Sequence, residues 1–468
     1  MAQRIAIVGA GISGLSLAWQ IRKRLPDAAI RIFEKNSRPG GNIWSERQDG
    51  FLVEMGPNGF LDSKTSTRDL CRELGLTDKL ISASEGARKN RYIFWNGRLQ
   101  ALPNSLLSFL GSRLLSSKSK WLLLTEKYRR NQATTEDETV DAFARRRVGD
   151  EIANIVADAM VTGIHGGDPK VLSVKSAFPR LAIWEKDSGS VLGGMKKNRR
   201  LKKTEALSRG EQPPGPPRMW GFRDGLRVLI EKLAEVFRDE LVLNADIQKL
   251  EKLDGEWRIV VNKGEARSFD SVVLTCPAYA QAKILEKIDQ KLSQELNEIP
   301  YNRIAVAALG FRGIPTQFPT DGFGFISPQS LKRDIVGVQW CSSIYPGRAN
   351  EGTSLWRVLC GGWNRPEIVD WPDEKLLSAV LSELKISMGV TEAPVFQKIV
   401  RWPKAIPQYR VGHSKKISTI MELSHAHSGL FLGGNAFRGV AINDCTEDAT
   451  YLAEQITMYL RTPDKMKI

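Results

Sequence analysis

Gly9, Gly11 and Gly14 stand in the order Gly-x-Gly-x-x-Gly, directly after the apolar run Ile5–Val8 and directly before a stretch with helical periodicity. That spacing suits the cradling of a pyrophosphate. Gly9 permits a tight turn out of a buried strand, Gly11 leaves the backbone bare for phosphate oxygens, and Gly14 lets helix and strand pack closely. The N–H groups of the first helical turn, those of Ile12 and Ser13 among them, lack partners inside the helix, and the helix dipole favours an anion there. Glu34, followed by Lys35, ends the second expected strand 20 positions after Gly14. A carboxylate at that place accepts hydrogen bonds from a ribose hydroxyl pair and repels a 2′-phosphate. The pattern predicts a dinucleotide site.

Little else in the chain points to side-chain chemistry. No Ser/His/Asp triad, carboxylate pair or activated cysteine stands out. The five cysteines, Cys71, Cys276, Cys341, Cys360 and Cys445, are odd in number, scattered and without a Cys-x-x-Cys, which argues against a disulfide framework and for small buried hydrophobes. Of the four histidines, His425 and His427 lack a third ligand nearby, so no metal site is expected.

Placing a dinucleotide turn takes a large scaffold, and 468 residues supply two or three domains. A net charge of +15 and an isoelectric point near 9.5 invite an anionic partner. No nucleic-acid motif accompanies the charge. No run of ~18 apolar residues marks a membrane span. The chain opens straight into a strand without a secretory pattern, so a cytoplasmic place is expected.

The expected organisation is a discontinuous dinucleotide domain, 1–88, 218–290 and 405–468, interrupted by a helical lobe, 89–217, and a β-rich substrate domain, 291–404. Ile152, Ile155, Val156, Ala159 and Met160 recur at helical spacing, as do Leu226, Leu229, Ile230, Leu233 and Phe237. Residues 102–128 mix leucines, Trp121 and basic side chains in a pattern that fits either a membrane-surface segment or a core helix with a solvated basic face. Residues 196–203 carry six cations in eight positions and run on to Pro213–Pro217. Within 188–217 this reads as an exposed, mobile, basic and proline-rich loop.

Arg38, Gly40 and Gly41 follow Glu34 closely and resemble the second phosphate-contacting turn of FAD-dependent, amine-oxidase-like flavoproteins. A second strand, glycine turn and helix at Leu430–Leu460, with Gly433, Gly434 and Gly439, repeats the N-terminal logic and would bring another helix N-terminus to the cofactor. Further motifs span the chain: Gly56-Pro57-Asn58-Gly59-Phe60, Asn90-Arg91-Tyr92, Gly167-Asp168-Pro169, Ala177-Phe178-Pro179-Arg180-Leu181, Asp321–Phe325, Tyr345-Pro346-Gly347-Arg348, Ala405–His413 and Gly439–Cys445. With them the chain resembles the flavin-dependent protoporphyrinogen oxidases and their coproporphyrinogen-oxidising relatives.

That resemblance implies an α/β fold of the p-hydroxybenzoate hydroxylase kind, with a Rossmann-type FAD domain, a β-rich substrate domain and a helical membrane-associating lobe. It implies noncovalent FAD held by Gly9, Gly11, Ile12, Ser13, Gly14, Glu34, Lys35, Arg38, Gly40, Gly41, Gly56, Pro57 and Asn58. Ile247 would meet adenine through its backbone, and Val440, Ile442, Asn443 and Asp444 would lie by pyrophosphate or isoalloxazine. A porphyrinogen would lie flat against Tyr345 and Ile326, with the Gly166 and Gly167 backbone facing its pyrrole nitrogens. The implied activity is oxidation of protoporphyrinogen IX with oxygen as acceptor, by hydride transfer from a meso carbon to the flavin. The implied partners are a membrane surface on its cytoplasmic face, a ferrochelatase and a second copy of the chain.

The mitochondrial members carry an arginine just after the Gly-Pro-x-Gly loop, where this chain has Leu61-Asp62-Ser63-Lys64. Arg91, and after it Lys64, are the substitutes expected to meet propionates. The departure leaves coproporphyrinogen III, with four carboxylates, as the alternative substrate. Another amine-oxidase-like FAD enzyme and a non-catalytic flavin or porphyrin carrier are the more distant alternatives.

Overall fold

The computed structural model describes residues 3–128, 136–210, 215–262 and 264–462. The first strand, Arg4–Val8, is flanked by Ala29–Phe33 on one side and Ser271–Leu274 on the other; Leu241–Val242 and Leu430–Leu432 form the edges. All four pairings are parallel. Ile5, Ile7 and their neighbours are buried on both faces, as strands under crossover helices must be. On one face the helix Ile12–Arg24 lays Ile12, Leu15, Ala18 and Ile21 against the sheet, while Arg22, Lys23 and Arg24 sit at its negative end. The C-terminal helix, Ile442–Arg461, packs against it, and Arg227–Val236 joins the same core through Leu229, Ile230 and Leu233. Segments from three widely separated parts of the chain thus build one sheet and its helical cover.

A seven-stranded sheet forms the second layer system, in the order Phe396–Trp402, Ile304–Arg312, Thr353–Gly361, Ile335–Trp340, Gly324–Ile326, Arg91–Trp95 and Arg98–Ala101. It is antiparallel except where Gly324–Ile326 runs parallel to Arg91–Trp95. The helix Asp373–Met388 covers one face through Leu376, Val380 and Leu384. The strand Glu256–Val261 lies in a separate three-stranded antiparallel sheet, between Ile247–Leu253 and Arg267–Phe269.

The helical lobe holds the short helices Leu106–Gly111 and Ser117–Leu124 and a continuous helical run over 150–165, which widens to a π-helical turn at Ala153–Ala157. The basic stretch corrects the expected loop: Val191–Ser208 is one helix, capped by Ser190 Oγ accepting from Gly193 N. Lys, Arg, Leu and Ala are good helix formers, and none of Lys196, Lys197, Arg199, Arg200, Lys202 and Lys203 has an ion-pair partner within 4.0 Å among the described residues. The strand of prolines beyond it falls partly on residues 211–214, outside the described residues.

Candidate functional site

The N-terminal turn is built by steric necessity. Gly9 has φ +109°, and a Cβ on Gly14 would stand 1.9 Å from the Gly9 carbonyl oxygen. A Cβ on Gly11, in contrast, would meet nothing within 4 Å. Gly11 bridges to Gly40, and Gly41, at φ +56°, lies against the Gly11 Cα. The first helix opens at Ile12 with no side-chain cap and no acid in its first turn, so its N–H groups, those of Ile12 and Ser13 included, face the space over Gly11 unanswered.

Glu34 is buried and already holds three donors: Ala10 N at 2.9 Å, Asn36 N at 3.0 Å and Asn36 Nδ2 at 2.7 Å. An ionised carboxylate has about four acceptor positions, which leaves one for a ribose hydroxyl. Lys35 follows it at the surface. Ala245 N donates to the Glu34 carbonyl at 2.8 Å and Asn244 N to that of Asn36 at 3.0 Å, so the chain reaches Ile247 alongside the Glu34 turn. Arg38 turns back on its own loop, donating to the Pro39 and Gly41 carbonyls at 3.2 Å and lying 4.6 Å over Trp44. Burial lowers its pKa, with Glu34 opposing.

Gly56, Pro57 and Asn58 run beside this turn: a Cβ on Gly56 would stand 1.9 Å from the Asn42 carbonyl oxygen. Asn58 is buried, and neither its Nδ2 nor its Oδ1 has a partner. At the far end the C-terminal helix packs against the first helix, and Ile442 and Cys445 of its first turn join the same core as Ile12. Gly439 has φ +140°, Val440 is half-buried, and Ile442 and Asn443 open the helix buried. Asn443 donates to the Leu61 carbonyl and keeps a buried Oδ1 without a partner; Asp444 accepts from Ala441 N at 3.1 Å. Two helix N-termini, a bare glycine turn, the unpartnered Asn58 amide and the unpartnered Asn443 Oδ1 are what a dinucleotide with an extended polar ring system needs. The residues fit the group.

Around the second sheet, Ile326 meets the glycine-bearing helix, and Arg91 lies on the strand beside it. Arg91 pairs in register with Gly324, and Ile93 with Ile326, so these side chains share a face. Ile326 packs on the helix Asp158–His165, where a Cβ on Gly163 would stand 2.5 Å from its Cδ1. One turn on, Gly166 ends that helix in the left-handed region at φ +53°. Its carbonyl accepts from Trp363 N at 2.9 Å and from Asn302 Nδ2 at 3.1 Å. Gly167 lies against Gln408, whose Oε1 has no partner and whose Nε2 donates to the His165 carbonyl at 3.0 Å. Arg91 is exposed, has no ion-pair partner within 4.0 Å among the described residues, and lies 4.9 Å over Phe323. Desolvation alone lowers its pKa.

Two expected substrate contacts are corrected. The Lys64 ammonium sits 2.7 Å from Asp444 and 2.5 Å from Glu447, so its charge is spent within the protein. Tyr345 is fully buried, its ring wedged against Gly59 and Gly221 and its hydroxyl unpartnered. It offers no face to a substrate. Sequence reasoning missed Asn302 and Gln408 as supports of the Gly166–Gly167 turn, although Gln408 lies inside a motif quoted above for other reasons. Tyr409 was missed too: its hydroxyl donates to the Asn435 carbonyl at 2.5 Å and accepts from Gly439 N at 2.9 Å, pinning the C-terminal glycine turn.

Fold and site define a mixed α/β protein with a parallel sheet, whose glycine turn and helix N-termini fit a dinucleotide. Residues 12–457 match the model of the flavin containing amine oxidoreductases, and the chain belongs to that family. A dinucleotide site in a flavin family means that the cofactor is FAD. The chain is 28% identical to coproporphyrinogen III oxidase of Bacillus subtilis, over 98% of both chains. It is 30% identical to protoporphyrinogen oxidase 1, chloroplastic, of Arabidopsis thaliana, over 97% of this chain and 88% of that one. Among solved structures, an Exiguobacterium protein provisionally assigned as a protoporphyrinogen oxidase superposes with a TM-score of 0.83 at 25% identity, over 98% of this chain and 99% of that one.

Proposed function

We propose that the chain is an FAD-dependent porphyrinogen oxidase that takes protoporphyrinogen IX to protoporphyrin IX, with oxygen as acceptor and hydrogen peroxide as product. The observation that carries this reading is similarity along nearly the whole chain to enzymes named for porphyrinogen oxidation. FAD, when bound, supplies the two-electron acceptor that such a reaction uses three times per macrocycle. The protein's own part is orientation and exclusion of water. Ile326 supplies an apolar wall, packed on the helix at Gly163 as only a glycine permits, and the Asn302 and Gln408 amides fill the space beside Gly166 and Gly167 and hold the turn rigid. His165, beside that turn, is buried and its pKa is pushed down to about 4 by desolvation, so it stays neutral at physiological pH.

Arg91, without an ion-pair partner within 4.0 Å among the described residues, is a cation that could meet a carboxylate of the substrate, which supports this reading. Coproporphyrinogen III is the second reading, supported by the similarity to the Bacillus subtilis and Staphylococcus aureus enzymes. The helical lobe supports peripheral contact with an anionic membrane surface: Leu106, Leu107, Leu110 and Trp121 are exposed beside Arg113 and Lys118. Among the described residues no helix is long and apolar enough to cross a membrane. Anaerobic addition of a porphyrinogen to the yellow holoprotein tests the activity: an oxidase loses its flavin absorbance, whereas a carrier keeps it.

A further inference from the structure

Beneath the Glu54–Asn58 segment lie two guanidinium groups, Arg348 at 0% exposure and Arg357 at 2%. Burying a guanidinium is costly unless a carboxylate answers it. Among the described residues a single carboxylate does so here, that of Glu54, itself 1% exposed and 3.2 Å from Arg348 Nη2. Glu54 is further engaged by Ser45 Oγ at 2.6 Å and Leu226 N at 2.9 Å. Among the described residues Arg357 has neutral partners only, donating through Nη1 to Gln339 Oε1 at 3.1 Å and through Nη2 to the Gly56 carbonyl at 2.6 Å. The remaining ionisable neighbours are Cys341, whose thiol burial pushes up to about 11, and Tyr345, whose hydroxyl burial pushes up as well. Both are neutral at physiological pH, so the pocket carries two positive charges against one negative.

The surplus charge abuts the cofactor site. Gly56 packs on Asn42, next to the Gly40–Gly41 turn that touches Gly11, and Asn58 two residues on has its whole amide buried and unanswered. We infer that Arg357 is a positioning residue for the flavin's electron affinity: its uncompensated charge, delivered at the Gly56 carbonyl, biases the bound FAD towards the reduced, electron-rich state. A reduced flavin carries more negative charge than an oxidised one, and a buried cation acting across one loop, little screened by water, favours it by on the order of tenfold. This rests on membership of the flavin family and not on the identity of the substrate.

The test is the FAD midpoint potential of the holoprotein, titrated without substrate for wild type, R357Q, R357K and E54Q. R357Q moves the equilibrium at least tenfold towards oxidised flavin, about 30 mV for a two-electron couple. R357K stays within threefold of wild type. E54Q, which removes the one counter-charge, moves the equilibrium towards reduced flavin. A purely structural role moves R357Q and E54Q in the same direction or neither, and either result overturns the inference. Should R357Q be isolated without flavin, E54Q alone decides by its sign.

Discussion

Gly11→Ala separates cofactor binding from folding, and Gly14→Ala supplies the contrast. Gly11 sits at φ −74° and ψ −179°, extended backbone open to any residue, and a Cβ there meets no protein atom within 4 Å. The apoprotein of Gly11→Ala is therefore as stable as wild type or firmer by about 0.4–1 kcal/mol, through the loss of unfolded-state freedom. The same methyl stands where pyrophosphate oxygens must approach the backbone. Losing two charge-assisted hydrogen bonds at roughly 1.5–3 kcal/mol each weakens FAD binding by about two to four powers of ten. At FAD one thousand times the wild-type Kd, wild type gains about 4.1 kcal/mol of stability, while a variant weakened a thousandfold gains about 0.4 kcal/mol. Gly14→Ala, by contrast, drives its methyl to 1.9 Å from the Gly9 oxygen and 2.7 Å from Thr275 Oγ1, and the apoprotein itself loses about 1–3 kcal/mol or more. Urea denaturation with and without FAD, beside FAD titration, reads both quantities. Native FAD affinity in Gly11→Ala, or an apoprotein as weak as that of Gly14→Ala, refutes the assignment of the pyrophosphate turn.

Arg91→Ala lowers kcat/KM for a porphyrinogen about tenfold or more, chiefly through KM, because one charge-assisted contact to a carboxylate is lost; an unchanged kcat/KM removes Arg91 from the site. His165 and His413 are buried, with pKa values pushed down to about 4 from 6.5 by desolvation. The native state then binds fewer protons than the unfolded chain, so stability falls as pH drops from 6.5 towards 4, by about 2 kcal/mol for each histidine between pH 7 and pH 5. His165→Gln and His413→Gln each flatten that slope in urea titrations, and an unaltered slope in both contradicts the buried neutral state. In flotation with phosphatidylglycerol vesicles, the double substitution Leu107→Ser, Trp121→Ser abolishes the association expected of wild type; undiminished flotation moves the contact elsewhere.

The parts of the site legible in the sequence were those whose geometry is local. Gly9, Gly11 and Gly14 lie within one strand-to-helix turn, and the strand and helix on either side are short-range consequences of the same pattern. The C-terminal turn from Gly433 to Gly439 was readable for the same reason. Lys64 and Tyr345 were misjudged because their environments are set by residues far away in sequence: Lys64 by Asp444 and Glu447, Tyr345 by Gly221 and Arg348. The charge pocket was invisible for the same cause, since Glu54 and Arg348 lie far apart in sequence and meet only in the folded chain. In the basic stretch, charge density masked good helix propensity, and the Ser190 cap that starts the helix carried the missing signal.

The central claim is tested most directly by aerobic oxidation of protoporphyrinogen IX and coproporphyrinogen III side by side, with porphyrin fluorescence and peroxide followed on the purified yellow protein. Three molecules of peroxide per porphyrin and a higher kcat/KM for protoporphyrinogen IX are expected. Preference for the tetracarboxylate would overturn the substrate assignment and place further cations at the mouth of the site, and failure to oxidise either would contradict the proposed activity itself.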